Sequence, residues 1–211
     1  FIIKGIEWVI DCIENILFNQ IRVFKNEGYN KEVMHVEFVS KPGDTYQNSD
    51  YFLVRLLNDN QLTCEIVRNQ LKGLQIPFYL LFRVLGWSSD KEMFDNILYG
   101  YSNDISKNML NYIIDCTNAK YSTMNDGRYV YQQTEVMKLI VDELKYTEFK
   151  YLDLDNKPEN YQIAFDRIFS TLDNNFLPHI GLLPADRPNK LRYLALIIRK
   201  LFLVKNLSVL S

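Results

Sequence analysis

Histidine and cysteine are scarce in this 211-residue sequence, which limits the chemistry that it can support. Its thiols, Cys12, Cys64 and Cys116, are odd in number and far apart. Without a Cys-x-x-Cys pair, neither a disulfide framework nor a zinc site is indicated, so we expect reduced thiols in an intracellular protein. The two histidines, His35 and His179, have no local signature that pairs them with a thiol for nucleophilic catalysis. In "NFLPHIG", His179 is expected to be hydrogen bonded at a helix exit.

The sequence also lacks a strong charge of either sign. Its 24 basic and 26 acidic side chains give a net charge of −2. No global field therefore draws the chain to nucleic acid or to an anionic membrane surface. Any contact with a polyanion has to be local.

Long uninterrupted apolar runs are missing as well. A helix that spans a membrane needs about 20 mostly apolar residues. The run 73–82 stops at Arg83, and the run 191–204 is split by Arg199 and Lys200. We interpret both runs as buried helices and predict no membrane contact.

What the sequence does have is a change of pattern along its length, from strand-like to helical. Turn residues separate the strand-like segments, which favours an antiparallel meander. Apolar residues at helical spacing dominate afterwards. The predicted fold class is α+β, with an antiparallel sheet in the first third followed by a helical bundle. The predicted strands are 21–25, 33–40, 51–57 and 62–69, and the predicted helices are 77–85, 104–118, 132–144, 159–174 and 188–205, with one more beginning after Ser89.

Local signals mark the helix boundaries in the segment 76–92. Pro77 suits the first turn of a helix, and Gly86 suits its end. Ser89 and Glu92 have the spacing of a capping box, so the next helix is predicted to start there. A short apolar helix, a turn and a second helix result.

The acidic residues form no recognisable catalytic or metal site. Asp90, Glu92 and Asp95 do not converge on one face of their helix, and a helix cap with a solvated face explains them. Asp153 and Asp155 alternate in a polar loop and would need further oxygen ligands to hold calcium. From chemistry alone, the sequence predicts an α+β module without a visible active site.

The most basic part of the chain is the stretch 185–206, where six cations accompany a single acid. Arg192 and Arg199 are seven residues apart, which places them on one face of a helix. Together with Lys200 they are candidates for contacts with a DNA backbone. The alternative is a solvated helix face.

Residues 76–92, "IPFYLLFRVLGWSSDKE", closely resemble the signature "I-P-x-x-x-x-F-R-A-L-G-x-x-S-D-x-E". This signature belongs to the second-largest, beta-like subunit of multisubunit DNA-directed RNA polymerases of the eukaryotic, archaeal and viral type. Residues 1–15, "FIIKGIEWVIDCIEN", are similar to that family's "F-I-I-N-G-x-E-x-V-x-x-x-Q-E". Residues 174–181, "NNFLPHIG", are similar to its "E-F-L-P-H-I". Three matches in the family's order extend across nearly the whole chain.

The sequence departs from the family pattern at a few of these positions. Lys4 stands where the family has asparagine, and Val84 stands where it has alanine. Ile13 and Asn15 replace a glutamine and an arginine, which removes polar groups from the first segment. The resemblance implies an extended conformation for residues 7–14, so we expect a strand there although the apolar residues recur at helical spacing.

The resemblance implies a place in a machine rather than a chemistry of its own. Residues 1–15 would be the end of the protrusion domain, and residues 16–211 would be the lobe domain, as a fragment of a longer subunit. In that family the two domains form one wall of the cleft that admits downstream duplex DNA. The catalytic residues and the magnesium ligands of the complete polymerase lie elsewhere. This fragment is therefore expected to hold no catalytic residue, metal or cofactor and to be inactive alone, although the complex is a nucleotidyltransferase.

The resemblance also implies partners. These are the other polymerase subunits, chiefly the largest, together with downstream duplex DNA and a transcription initiation factor. A stand-alone, lobe-like protein-interaction module is the alternative. The many Asn, Lys, Tyr and Ile residues suggest an AT-rich coding sequence and a large DNA virus. The expected compartment is then the cytoplasm of the infected cell or the virion, and otherwise the nucleus.

Overall fold

The structure is a computed structural model of the 211-residue chain. It describes the backbone of residues 2–7, 9, 17–26, 32–43, 48–67, 71, 73–87, 89–100, 103–124, 132–155 and 157–209. The strands are β1 (Ile2–Ile3), β2 (Ile6–Glu7), β3 (Arg22–Lys25), β4 (Glu32–Ser40), β5 (Asp50–Leu57), β6 (Leu62–Ile66) and β7 (Gln75–Pro77). The helices are α1 (Phe78–Leu85), α2 (Asp90–Leu98), α3 (Asn103–Met124), α4 (Gln133–Leu144), α5 (Asn160–Asn175) and α6 (Arg187–Val209), and a 3-10 turn (Pro184–Asp186) precedes α6.

The main sheet has five strands in the order β3-β4-β5-β6-β7. Each strand pairs antiparallel with the next one along the chain, so the sheet is a meander, as predicted. Strands β1 and β2 form a separate two-stranded hairpin. The predicted fold class, an antiparallel sheet followed by helices, is confirmed.

Alternation along β4 separates the two faces of the sheet. Met34, Val36 and Phe38 are buried, whereas His35 and Glu37 between them are only half-buried. Because successive side chains of a strand point to opposite faces, one face of the sheet joins the core and the other carries polar groups. The helices therefore pack on one side of the sheet.

Helix α1 is the centre of the core, because all eight of its residues are buried. It contacts β6 and β7 on one side and α4 and α6 on the other. The helix ends in a Schellman motif, in which Gly86 N–H donates to the carbonyl of Arg83 and Trp87 N–H donates to that of Phe82. Gly86 has a φ of 121°, which a side chain at this position would disfavour. The Trp87 ring stacks on Phe82 at a centroid distance of 5.0 Å.

Helix α4 buries one stripe. In α4 the buried residues are Val136, Met137, Ile140, Val141 and Leu144, at the spacing of a single helix face. Helix α6 packs against α1, α2 and α3 and also reaches β3 and β4, so it links the sheet to the helices. Among the helices that the structure describes, none is long and apolar enough to cross a bilayer.

Several boundaries differ from the predicted ones. Strand β7 was not predicted, because three residues ending in Pro77 offer too little pattern, and α3 runs to Met124 rather than to 118. The capping box at Ser89 is not formed: Ser89 occupies the N-cap position of α2, but its side chain makes no capping hydrogen bond. Of the predicted strand 7–14, Glu7 lies in β2, and residues 8 and 10–14 lie outside the described residues.

Candidate nucleic-acid interface

The start of α6 holds two cations that serve the fold. Arg187 donates two hydrogen bonds to the Asp173 carboxylate, at 2.7 and 2.6 Å. Lys190 is fully buried, and its Nζ donates to the carbonyls of Leu172 and Asp173 at 3.1 and 2.6 Å. Since the last carbonyls of a helix have no partner within it, Lys190 caps the end of α5. These two cations of the basic stretch tie α5 to α6.

The environments of these groups shift their pKa values in opposite directions. The hydrogen bond to Asp173 raises the pKa of Arg187, whereas burial lowers that of Lys190 to about 8. Further along α6, the Nζ of Lys205 lies 4.2 Å from the centre of the Tyr112 ring, and burial lowers the pKa of Lys205. Lys205 therefore also packs within the molecule.

Arg192 and Arg199 instead lie at the surface between α2 and α6. They line one open cavity of about 320 Å³ together with Asn96, Tyr99 and Leu196. Their spacing of seven residues put both on one helix face, as the sequence indicated. None of the described residues that line the cavity is acidic.

The cavity is organised by the end of α2. Tyr99 lies directly after the last residue of α2, and its backbone carbonyl accepts a 2.8 Å hydrogen bond from Arg199 Nη1. A cation is favoured there by the negative end of the helix dipole. The Asn96 side chain donates to the Glu92 carbonyl at 2.8 Å, one turn back in α2. These bonds hold the polar wall of the cavity in place.

The other two predicted DNA-contact residues, Arg192 and Lys200, differ in position. Arg192 is exposed, and its Nη1 lies 3.4 Å from Asn189 Oδ1 on the same helix. Lys200 is exposed as well, but it is not among the described residues that line the cavity. The structure thus brings together Arg192 and Arg199, and leaves Lys200 beside them on α6.

Two functional groups in this site had no signal in the sequence. Tyr99 keeps 77% of its surface exposed, and Asn96 lies beside it on α2. Both come from a part of the chain about 100 residues before α6, so neither periodicity nor motif spacing joins them to the two arginines. The one available sign was the position of Tyr99 at the end of a helix, because the last carbonyls of a helix need partners from elsewhere.

The thiols and histidines do not form a nucleophilic pair in the described part of the chain. Cys64 and Cys116 are buried, and burial raises the pKa of both thiols, that of Cys116 to about 12. A thiol with so high a pKa supplies almost no thiolate near neutral pH. Cys64 lies on the core face of the sheet, whereas His35 lies on the opposite face.

His179 has the structural role that the sequence predicted. Its Nδ1 shares a 2.7 Å hydrogen bond with Ser40 Oγ, and its ring lies between Phe38 and Tyr193. Burial, with a smaller effect of the Lys190 charge, lowers the pKa of His179 to about 4. His179 therefore joins the chain after α5 to the end of β4 as a neutral group.

The acidic residues also have structural partners. Asp90 pairs with the buried Arg83, so the arginine in the apolar helix α1 bonds within the protein. Asp155 pairs with Lys145 in the loop after α4. Within the described ranges, no group of three or more His, Cys, Asp or Glu side chains is placed to hold a metal ion.

Comparison with known proteins gives the family. The family "RNA polymerase Rpb2, domain 2" matches residues 45–208, a range that includes all of β5 and ends in the last turn of α6. The chain belongs to this family. The matched range contains all of the described residues that line the Arg192–Arg199 cavity.

Two relatives extend the comparison to the larger subunit. Subunit RPB2 of DNA-directed RNA polymerase II from Encephalitozoon cuniculi is 29% identical over 102 residues, which are 47% of this chain and 8% of the relative. DNA-directed RNA polymerase subunit Rpo2 from Sulfolobus acidocaldarius is 25% identical over 202 residues, which are 95% of this chain and 15% of the relative. The chain thus spans less than a sixth of the length of either relative.

Proposed function

We propose that this chain is the lobe of the second-largest subunit of a DNA-directed RNA polymerase and forms one wall of the DNA cleft. The observation that carries the proposal is the match to domain 2 of Rpb2 over residues 45–208, on an α+β fold of the expected order. The stand-alone interaction module is not favoured, because both relatives are polymerase subunits.

In this role the domain works as a rigid support and supplies no catalytic group. Its described thiols and histidines are buried or engaged in structural contacts, which is consistent with catalysis by other parts of the enzyme. The complex would be a nucleotidyltransferase whose magnesium is held elsewhere, and this chain alone would be inactive.

Contacts with a DNA backbone would come from Arg192, Arg199 and Lys200. All three lie on α6, and Arg192 and Lys200 are exposed. Arginine and lysine bind phosphates without reading the sequence, so such contacts would position the DNA and weaken as salt is raised.

The domain boundary is also a proposal. Residues 1–15 would be the end of the protrusion domain, and residues 16–211 would be the lobe. Support comes from the β1–β2 hairpin, where Ile2, Ile3 and Ile6 remain 68%, 49% and 61% exposed. Apolar side chains in that state need a covering surface, which the protrusion would provide.

The partners are then the largest polymerase subunit and an initiation factor. A large DNA virus as the source, with the cytoplasm of the infected cell or the virion as the compartment, is supported by the composition alone. With a cellular source the compartment would be the nucleus.

The gene and the assembled complex test the proposal. Sequencing outward from both ends should give a long open reading frame with Asp/Arg-rich and lysine-bearing segments. A tagged chain, expressed from its own gene, should co-purify with a largest subunit, and the purified complex should synthesise RNA. The isolated 211-residue chain should synthesise no RNA.

A tagged Leu81→Asp variant provides the control for non-specific capture. Leu81 is fully buried in α1, so a carboxylate there should disrupt the domain and abolish incorporation. Stop codons close to both ends, or recovery of the wild-type chain without any polymerase subunit, would instead identify a stand-alone module.

A further inference from the structure

The cavity between α2 and α6 combines two arginines with an exposed aromatic ring. Arg192 and Arg199 provide two guanidinium groups, and Tyr99 borders the same space with 77% of its surface exposed. Leu196 supplies an apolar part of the lining, and Asn96 supplies an amide.

The charges in the cavity favour an anion. Two guanidinium groups line the same cavity, and none of the described lining residues is acidic. A phosphate between them would form charge-assisted hydrogen bonds with both. The bond from Arg199 to the Tyr99 carbonyl fixes one of the two donors beforehand, which lowers the entropic cost of binding.

The aromatic ring and the size of the cavity favour a nucleotide over an acidic peptide. Every nucleobase has a flat face that stacks on an aromatic side chain, and this stacking is typical of sites for unpaired strands. A carboxylate side chain gains nothing comparable from an exposed tyrosine. The volume of about 320 Å³ lies at the lower end of the range for small-molecule sites, which suits one nucleotide unit.

We propose that this cavity binds one nucleotide of an unpaired nucleic-acid strand, with its phosphate between Arg192 and Arg199 and its base on Tyr99. The amide of Asn96 borders the base and offers a polar contact to its edge. A base inside a duplex is stacked on its neighbours and cannot reach Tyr99, so an unpaired strand should bind more tightly than a duplex. The inference deepens the proposed function and depends on it for the source of the strand.

Binding is tested with the longest natural chain that contains these 211 residues. A fluorescein-labelled dT12 strand, a 12-base-pair duplex and inorganic phosphate serve as probes, with affinity measured by fluorescence anisotropy or by competition. We expect dT12 to bind at least tenfold more tightly than the duplex. Arg192→Gln and Arg199→Gln should each weaken dT12 binding about tenfold, and Tyr99→Ala should weaken it about 5- to 100-fold.

Matched variants separate the cavity from general surface effects. Tyr99→Phe should keep most of the affinity, because phenylalanine retains the ring. Tyr146→Ala and Arg167→Gln remove an exposed tyrosine and an exposed arginine elsewhere, and they should leave binding unchanged. A dT12 strand with 5-iodouracil should also crosslink to Tyr99 on irradiation, and mass spectrometry would locate the adduct.

Three outcomes would overturn the inference. They are equal affinity for strand and duplex, binding that survives the three cavity variants, and stronger competition by poly-glutamate than by dT12. None of these results bears on whether the chain assembles into a polymerase. Conversely, a chain that binds dT12 through Tyr99 but enters no polymerase would refute the proposed function alone.

Discussion

Buried charges make this domain's stability sensitive to single substitutions. Arg83 is 4% exposed within the apolar helix α1, and its Nη2 donates to Asp90 at the start of α2. A buried guanidinium that loses its carboxylate keeps the cost of desolvation without the compensating attraction. The pair therefore matters more than a surface ion pair would.

Asp90→Ala should lower the free energy of unfolding by about 2 kcal/mol, because Arg83 loses its carboxylate. The matched control is Glu92→Ala, which removes an exposed acid from the same helix turn and should cost under about 0.5 kcal/mol. Urea unfolding followed by Trp87 fluorescence measures both. If both substitutions lowered the free energy of unfolding equally, Asp90 would stabilise the protein through the helix dipole of α2 rather than through its pair with Arg83.

His179 should make stability depend on pH. The pKa of His179 is about 4 in the folded protein and about 6.5 in the unfolded chain. Well above pH 6.5 the imidazole is therefore neutral in both states. Between pH 6.5 and 4 the unfolded chain binds a proton that the folded chain does not, and stability falls as the pH falls. The expected loss from this group is about 1–3 kcal/mol.

Urea unfolding at pH 7, 5.5 and 4.5 tests this expectation. In His179→Gln the free energy of unfolding should fall less steeply between pH 7 and 4.5, with a slope smaller by up to one bound proton. This expectation holds whatever the substitution does to stability at pH 7. His35→Gln changes the chain's other histidine and should leave the contribution of His179 in place. If the free energy of unfolding depended on pH in His179→Gln as it does in the wild type, the pH dependence would come from the carboxylates.

At the scale of elements, the joint between α5 and α6 depends on one carboxylate. Asp173 accepts two hydrogen bonds from Arg187, while Lys190 bonds the carbonyl end of α5. Asp173→Asn should lower the free energy of unfolding by about 2–3 kcal/mol, since the amide cannot offset either neighbouring cation. Asp166→Asn is the control, because Asp166 is exposed on α5 and accepts a bond from Gln162 within the same helix.

Thermal and urea unfolding of both variants measure the difference. A loss in Asp166→Asn as large as that in Asp173→Asn would show that acidic residues stabilise α5 generally and that the joint has no special role. Lys190→Met tests the same joint from the other side. It should cost less than Asp173→Asn, because it removes the buried charge together with its hydrogen bonds.

The elements themselves were largely predictable from local pattern. Alternation in 33–40 and the helical stripe in 132–144 determined β4 and α4, because in both cases one face packs on the core. Strand β7 was missed, since three residues that end in Pro77 offer too little pattern. The Ser89 capping bond was predicted from spacing but is absent, because spacing does not determine where the hydroxyl points.

The candidate site was predictable only in part. The seven-residue spacing of Arg192 and Arg199 placed both on one helix face, and the structure puts them in one cavity. Spacing alone could not distinguish these arginines from Arg187 and Lys190, which bond to the end of α5. A lysine's burial depends on which carbonyls the fold brings to it.

At the scale of the whole molecule, the N-terminal hairpin should be separable from the core. Deletion of residues 1–9 should change the free energy of unfolding by less than about 1 kcal/mol, because Ile2, Ile3, Ile6 and Val9 bury little surface. The denaturant m-value should also stay nearly constant. A loss above about 3 kcal/mol would place the hairpin within the lobe.

The low net charge of the chain makes its salt dependence informative. With a net charge of −2, long-range attraction to nucleic acid is absent, and binding should report local phosphate contacts. A single phosphate held between the two arginines predicts a slope of about −0.7 in a plot of log K against log salt concentration. The double variant Arg192→Gln/Arg199→Gln should bring the slope close to zero, and an unchanged slope would exclude the two arginines from the contact.

The buried amine of Lys190 can also report how often the packed helices α5 and α6 separate. Burial lowers the pKa of this amine to about 8. The same burial withholds the nitrogen from acylating reagents, unlike the exposed Lys200. The rate at which Lys190 is labelled in the intact protein is therefore set by how often the two helices part, which gives a kinetic view of the domain that needs no engineered probe.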